Sequence, residues 1–171
     1  MQLTHFTFGP FQENTYLVWD ENKTAAVIDP GCFTPAEEQQ LKSAIDELEL
    51  DLKYHLLTHA HIDHVAGSQF IYDTYGLFPE MYEESLHIYH AAPMQGRMFG
   101  VPGFELPEPG PTFDLSKPYK VGKLEFELRF TPGHEPGHVV FYHEPSKQLI
   151  GGDMLFLGSI GRTDLPGANP D

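Results

Sequence analysis

The sequence predicts an α/β fold of the α+β kind. Strand-like runs rich in β-branched and aromatic residues open the chain, amphipathic helix-like stretches follow, and three more strand-like runs come near its end. The runs "LTHFTF", "TYLVW" and "AAVID" are separated by turn-prone Gly9-Pro10 and by Asp20 to Lys23, which gives an antiparallel opening meander. After "DPG", Thr34 is placed as an N-cap, Pro35 as the first helical residue and Glu37 as the partner in a capping box. Leu41, Ala44, Ile45 and Leu48 then recur at spacings of three and four, so this helix presents one apolar face and should cover a sheet.

The run "YHLLT" reads as a compact apolar strand, and a second helix is expected from about Val65 to Tyr75, stopped by Gly76. "LHIYH" reads as a further strand. Residues Ala91 to Pro118, interrupted by Pro93, Pro102, Pro107, Pro109, Pro111 and Pro118, read as one long loop carrying Met94, Met98, Phe99 and Phe104. A loop of that length in a compact domain is usually functional, so it is expected to shape a pocket. "KLEFELRF", "HVVFYH" and "QLIGG" supply the last three strands.

With 171 residues, the chain is expected to form a single domain with a real core. Its 25 acidic against 10 basic side chains give a formal charge of −15, which repels phosphate backbones and anionic lipid head groups. Neither nucleic acid nor membrane is an expected partner. The opening residues lack a basic segment followed by an unbroken apolar run, and no stretch is long enough to span a bilayer, so a cytoplasmic location is expected. Cys32 is the sole cysteine, which excludes an internal disulfide; it reads as a packed residue in a strand-to-helix turn rather than a nucleophile.

The densest chemical signal is "LTHAHIDHVAG". His59 and His61 stand two apart at the end of a strand and can point to one side, while Asp63 and His64 face the same space from the turn into the helix. Imidazole and carboxylate without clustered cysteine suit a catalytic zinc, iron or manganese site rather than a structural one. Further ligands are available at the ends of later strands: His134 in "FTPGHEPGH" and Asp153 in "LIGGDMLF". Divalent cations lower the pKa of a bound water from near 15.7 to about 7, so no serine or cysteine nucleophile is required. Asp63 could orient that water or accept its proton, and thioesters, lactones and lactams would all suit such a site.

Taken together, "THAHIDH", "TPGHEPGH" and "GGDMLF" resemble the metallo-β-lactamase-fold hydrolases, and "GSIGRTDLPGA" with "PFQENTYLV" is similar to their glyoxalase II-like (hydroxyacylglutathione hydrolase-like) branch. The resemblance implies an αββα sandwich with the site on one edge. It implies that His59, His61 and His134 hold one metal, that Asp63 and His64 hold a second, and that Asp153 bridges them. A small-molecule thioester would be the substrate and one or two zinc ions the cofactor.

Some features of that family have no counterpart here. Its further metal-ligating histidine lies beyond "GANPD", so the reading is of a C-terminally truncated chain lacking part of one half of the sandwich. The same reading expects no counterpart here of the helical domain with which glyoxalase II proteins grip glutathione. Glu135 stands where threonine is usual, and His138 reads as a core residue or a partner to a ligand rather than a ligand. Arg162 is expected to pair with Asp164. Two alternatives follow: a persulfide dioxygenase with mononuclear iron, whose relatives share "GRTD", and a metal-binding fragment with little turnover.

Overall fold

A computed structural model describes residues 1–101, 104–165 and 167–169. Pro102 and Gly103 of the expected long loop, and Pro166, Pro170 and Asp171 near the end, lie outside the described residues. The first sheet has the order β1 (Gln2–Phe8), β2 (Glu13–Trp19), β3 (Thr24–Ile28), β4 (Asp51–Leu56) and β5 (Pro79–Glu80). Strands β1 to β3 form the expected antiparallel meander, whereas β4 and β5 join in parallel, each entered after a helix-containing crossover.

Helix α1 (Pro35–Glu47) begins as the sequence indicates: Thr34 accepts from the Glu37 amide and the Glu37 carboxylate returns to the Thr34 amide. Its buried Leu41 and Ile45 pack with Leu17, Trp19, Ala25 and Val27 on one face of the first sheet. The single helix expected from Val65 is instead two, α2 (Ile62–Val65) and α3 (Ser68–Tyr75), the latter ended by left-handed Gly76. The break falls at Gly67, whose amide donates to the Pro30 carbonyl at 2.7 Å, and a Cβ there would lie 2.8 Å from that same oxygen.

The strand expected at "LHIYH" is the start of helix α4 (Leu86–Met98), so the first eight residues of the expected loop are helical too, Pro93 included. Ile88, Tyr89, Ala92 and Gly96 recur at helical spacing on its buried side, against Leu57, Ala60, Val65 and Met81, and that packing overrides the strand propensity of the first five residues. Farther along the segment, Tyr89 Oη donates to the Pro107 carbonyl, and the Gly110 and Phe113 amides donate to the Pro79 and Met81 carbonyls.

The second sheet is antiparallel, with the order β6 (Tyr119–Val121), β7 (Leu124–Phe130), β8 (Val139–His143) and β9 (Gln148–Ile150). The two sheets face each other across Val18, Ile28 and Leu56 on one side and Phe126, Leu128 and Phe141 on the other, all buried. A short hairpin, β10 (Leu155–Phe156) and β11 (Ser159–Ile160), follows β9. Among the described residues, no helix is long and apolar enough to cross a membrane.

Candidate metal centre

Every candidate ligand named from the sequence comes to one edge of the sandwich. β4 ends at Leu56, Thr58 to His61 continue from it, and α2 carries Asp63 and His64. His134 arrives on the turn between β7 and β8, and Asp153 follows β9. Ligand-type atoms of His59, His61 and His134 lie within 4.8 Å of one another, as do those of Asp63, His64 and Asp153. Asp153 also reaches the first group, its Oδ2 standing 3.5 Å from His134 Nε2.

Hydrogen bonding determines which nitrogen each imidazole offers. Thr58 Oγ1 donates its single proton to Asp29 Oδ2 at 2.7 Å, so the 3.0 Å contact with His59 Nδ1 requires Nδ1 to be the donor. His59 Nε2 is then a bare lone pair, buried and without a partner among the described residues. His134 Nδ1 lies 2.8 Å from the Arg162 carbonyl, which can only accept, so Nδ1 is the donor and Nε2 is the nitrogen the neutral ring would offer a metal. That nitrogen is 2.8 Å from His61 Nδ1. Fixing the outer nitrogen in order to present the inner one is what a metal-binding histidine requires.

The electrostatics agree. Burial, with help from the neighbouring imidazoles, holds His59 well below the usual histidine range and pushes His61 down to about 3, so both are neutral. Burial also opposes charge on His64, but Asp63, Asp29 and Asp153 outweigh it and hold His64 well above that range. The His64 nitrogens sit 3.1 Å from Asp29 Oδ2 and 3.2 Å from Asp153 Oδ1, yet neither contact is aligned as a hydrogen bond. These are charge contacts around a converging set of groups. Burial raises the Asp153 carboxyl, but His64, His134 and His138 more than offset this and leave it below the usual carboxylate range. Orphaned buried nitrogens, neutral imidazoles and three carboxylates within reach suit one or two divalent ions.

Two contributors were not legible in the sequence. Asp29, read only as the end of a strand, is fully buried in a left-handed conformation (φ 53°) and accepts from both the amide and the hydroxyl of Thr58. The Arg162 carbonyl is the other unforeseen partner, and "DPG" after a strand was the one available pointer to Asp29. His138 is buried behind His59, with ring centroids 4.8 Å apart and Nδ1 2.9 Å from Thr131 Oγ1, and lies outside the candidate ligand groups. Glu135 is also buried; its Oε2 accepts from Ser85 and Gly137, and burial pushes its carboxyl up to about 7. Arg162 pairs with Asp164 through two contacts at 2.8 and 3.0 Å. Cys32 is buried, and burial pushes its thiol up, away from a nucleophile's range.

Residues 8–171 match the family model described as Metallo-beta-lactamase superfamily. The chain belongs to that superfamily. Within it, this member of the metallo-β-lactamase superfamily is 38% identical over 160 residues to hydroxyacylglutathione hydrolase GloC of Haemophilus influenzae, covering 91% of this chain and 73% of that one. It is 30% identical over 174 residues to the probable metallo-hydrolase YqgX of Bacillus subtilis, covering 100% of this chain and 79% of that one. Among solved structures it is similar to TTHA1623 in a di-iron-bound form, with a TM-score of 0.86 and 35% identity over 98% of this chain and 80% of that one. The layered α/β arrangement and the clustered histidines and carboxylates are thus those of a fold that holds one or two metal ions.

Proposed function

We propose that this chain is a zinc-dependent hydrolase of thioesters. His59, His61 and His134 would hold one ion, Asp63 and His64 a second, and Asp153 would face both. The observation that carries this reading is the buried Nε2 lone pair of His59, whose Nδ1 is fixed by Thr58, beside a His134 whose Nδ1 is fixed by the Arg162 carbonyl. Similarity to a hydroxyacylglutathione hydrolase supports the choice of substrate class. When bound, the metal supplies an acidified water and a Lewis acid for the acyl carbonyl.

The chain's own residues supply the rest. Asp63, His64 and Asp153 line a cavity of about 300 Å³ together with Phe11, Tyr16 and Phe156. The carboxylates would provide the polar end, and Asp63, on the first turn of α2, would take a proton from the attacking water. The aromatic side chains provide an apolar wall suited to the body of an acyl thioester.

Metal analysis by mass spectrometry combined with hydrolysis of S-lactoylglutathione tests this. Zinc uptake with turnover that a chelator abolishes and zinc restores is the expected result. Zinc uptake without thioester cleavage would leave only a metal-binding protein, and oxygen consumption by an iron-loaded form with glutathione persulfide would reassign the chain as a dioxygenase.

A further inference from the structure

Glu13, in the "QENTY" run at the start of β2, takes no part in the ligand set above, yet it is only 5% exposed and lines the same cavity as Asp63 and His64. Its Oε1 is buried without a partner among the described residues. Its Oε2 lies 3.0 Å from Thr15 Oγ1, and that hydroxyl has two further contacts. The Asp29 carbonyl lies 2.8 Å away and can only accept; the Gly31 amide lies 2.9 Å away and can only donate. A hydroxyl carries one proton. Once Thr15 donates to Asp29 and accepts from Gly31, the remaining contact is satisfied only if Glu13 is the donor.

We propose that Glu13 is a positioning residue: a neutral carboxylic acid that donates to Thr15 and so clamps the Asp29–Gly31 turn from which Asp29 orients His59 and His64. Thr15 grips this turn on both sides of Pro30. Asp29 sits there at φ 53°, a conformation L-residues rarely adopt, and must be held in it. Its carboxylate in turn fixes Thr58, which sets the His59 tautomer, and stands 3.1 Å from His64 Nδ1. The Glu13 carboxyl rests directly on Gly31, where a Cβ would come 1.9 Å from Oε2, so the clamp requires a glycine at this position. Burial, which pushes the Glu13 carboxyl up to about 9, favours the same protonated form.

The proposal rests on the metal-centre reading but not on the choice of substrate, so its test is zinc binding rather than turnover. Glutamine reproduces a neutral acid, with an amide N–H in place of the O–H; alanine does not. Zinc affinity by competition with a chromophoric chelator, and the urea midpoint of the metal-free protein, are measured for native, Glu13→Gln, Glu13→Ala and Thr15→Val chains. Glu13→Gln is expected to keep zinc affinity within about threefold of native, while Glu13→Ala and Thr15→Val lose about 10- to 100-fold. If Glu13→Ala does not fold, Thr15→Val and Glu13→Gln still decide. Glu13→Gln losing as much affinity as Thr15→Val would overturn the neutral-donor role. Lower urea midpoints with unchanged zinc affinity would reduce Glu13 to packing. A native chain that takes up no zinc would overturn the metal centre as well, whatever thioester assays show.

Discussion

The adjacent glycines after β9 make opposite demands on the chain, and substituting each by alanine separates them. Gly152 lies at φ 48°, and a Cβ on it would come 2.3 Å from Thr58 Oγ1 and 2.8 Å from His138 Nε2. Gly151 has ordinary backbone angles and nothing within 4 Å of its Cβ position. The left-handed conformation costs an alanine about 1 kcal/mol. Forcing a methyl group into occupied space costs about 1–3 kcal/mol more. Gly152→Ala is therefore expected to destabilise the metal-free protein by about 2–4 kcal/mol, a large share of the roughly 5–15 kcal/mol typical of a folded domain. Gly151→Ala should fall within about 0.5 kcal/mol of native, or gain slightly through a less flexible unfolded chain. Equilibrium urea unfolding with unchanged m-values gives both numbers. Because the methyl group would push on Thr58, zinc affinity should fall in the first variant only. A Gly152→Ala chain less than about 1 kcal/mol below its Gly151→Ala twin would refute the steric argument.

Other substitutions probe different layers of the same site. Asp29→Asn removes an acceptor from Thr58 and should weaken zinc binding about 10- to 100-fold by chelator competition, more than it lowers the urea midpoint. Glu135→Gln tests a pH dependence. The native carboxyl is raised from 4.5 to about 7 by burial, so its contribution to stability is complete below pH 4.5 and is lost as pH rises through 7. Native stability relative to Glu135→Gln should fall across that window by up to about 1.4 kcal/mol per pH unit, and parallel profiles would show that Glu135 ionises normally. Thr34→Ala, at the N-cap of α1, should cost about 1 kcal/mol of stability and leave zinc binding unchanged.

Local chemistry was legible wherever it was local. The Thr34–Glu37 capping box, the Gly76 stop and the opening meander all depend on residues close in sequence, and the structure has each of them. The candidate ligands were legible because imidazoles and carboxylates at strand ends are scarce and recognisable types. Asp29 was not, because its role exists only through Thr58 and His64, far along the chain, and a single aspartate before proline resembles an ordinary turn residue. Helix α4 was misread for a related reason. "LHIYH" has strand-like composition, and what makes it helical is the register of Ile88, Tyr89, Ala92 and Gly96 against Ala60, Val65 and Met81, together with Gly96 fitting beside Ile62. Strands β6, β10 and β11 have two or three residues each, too few to show a period.

The main-chain partner of His134 shifts where heritable constraint on that contact resides. Any residue at position 162 presents the same carbonyl, so side-chain replacement there leaves the tautomer of His134 intact. What does control the contact is the path of the backbone one step earlier. A Cβ at Gly161 would lie 1.9 Å from the Asp153 carbonyl and 3.0 Å from the His134 ring. A residue with no functional group thus governs a proton on the imidazole, and a survey of variants scored only by side-chain chemistry would credit the arginine and overlook the glycine.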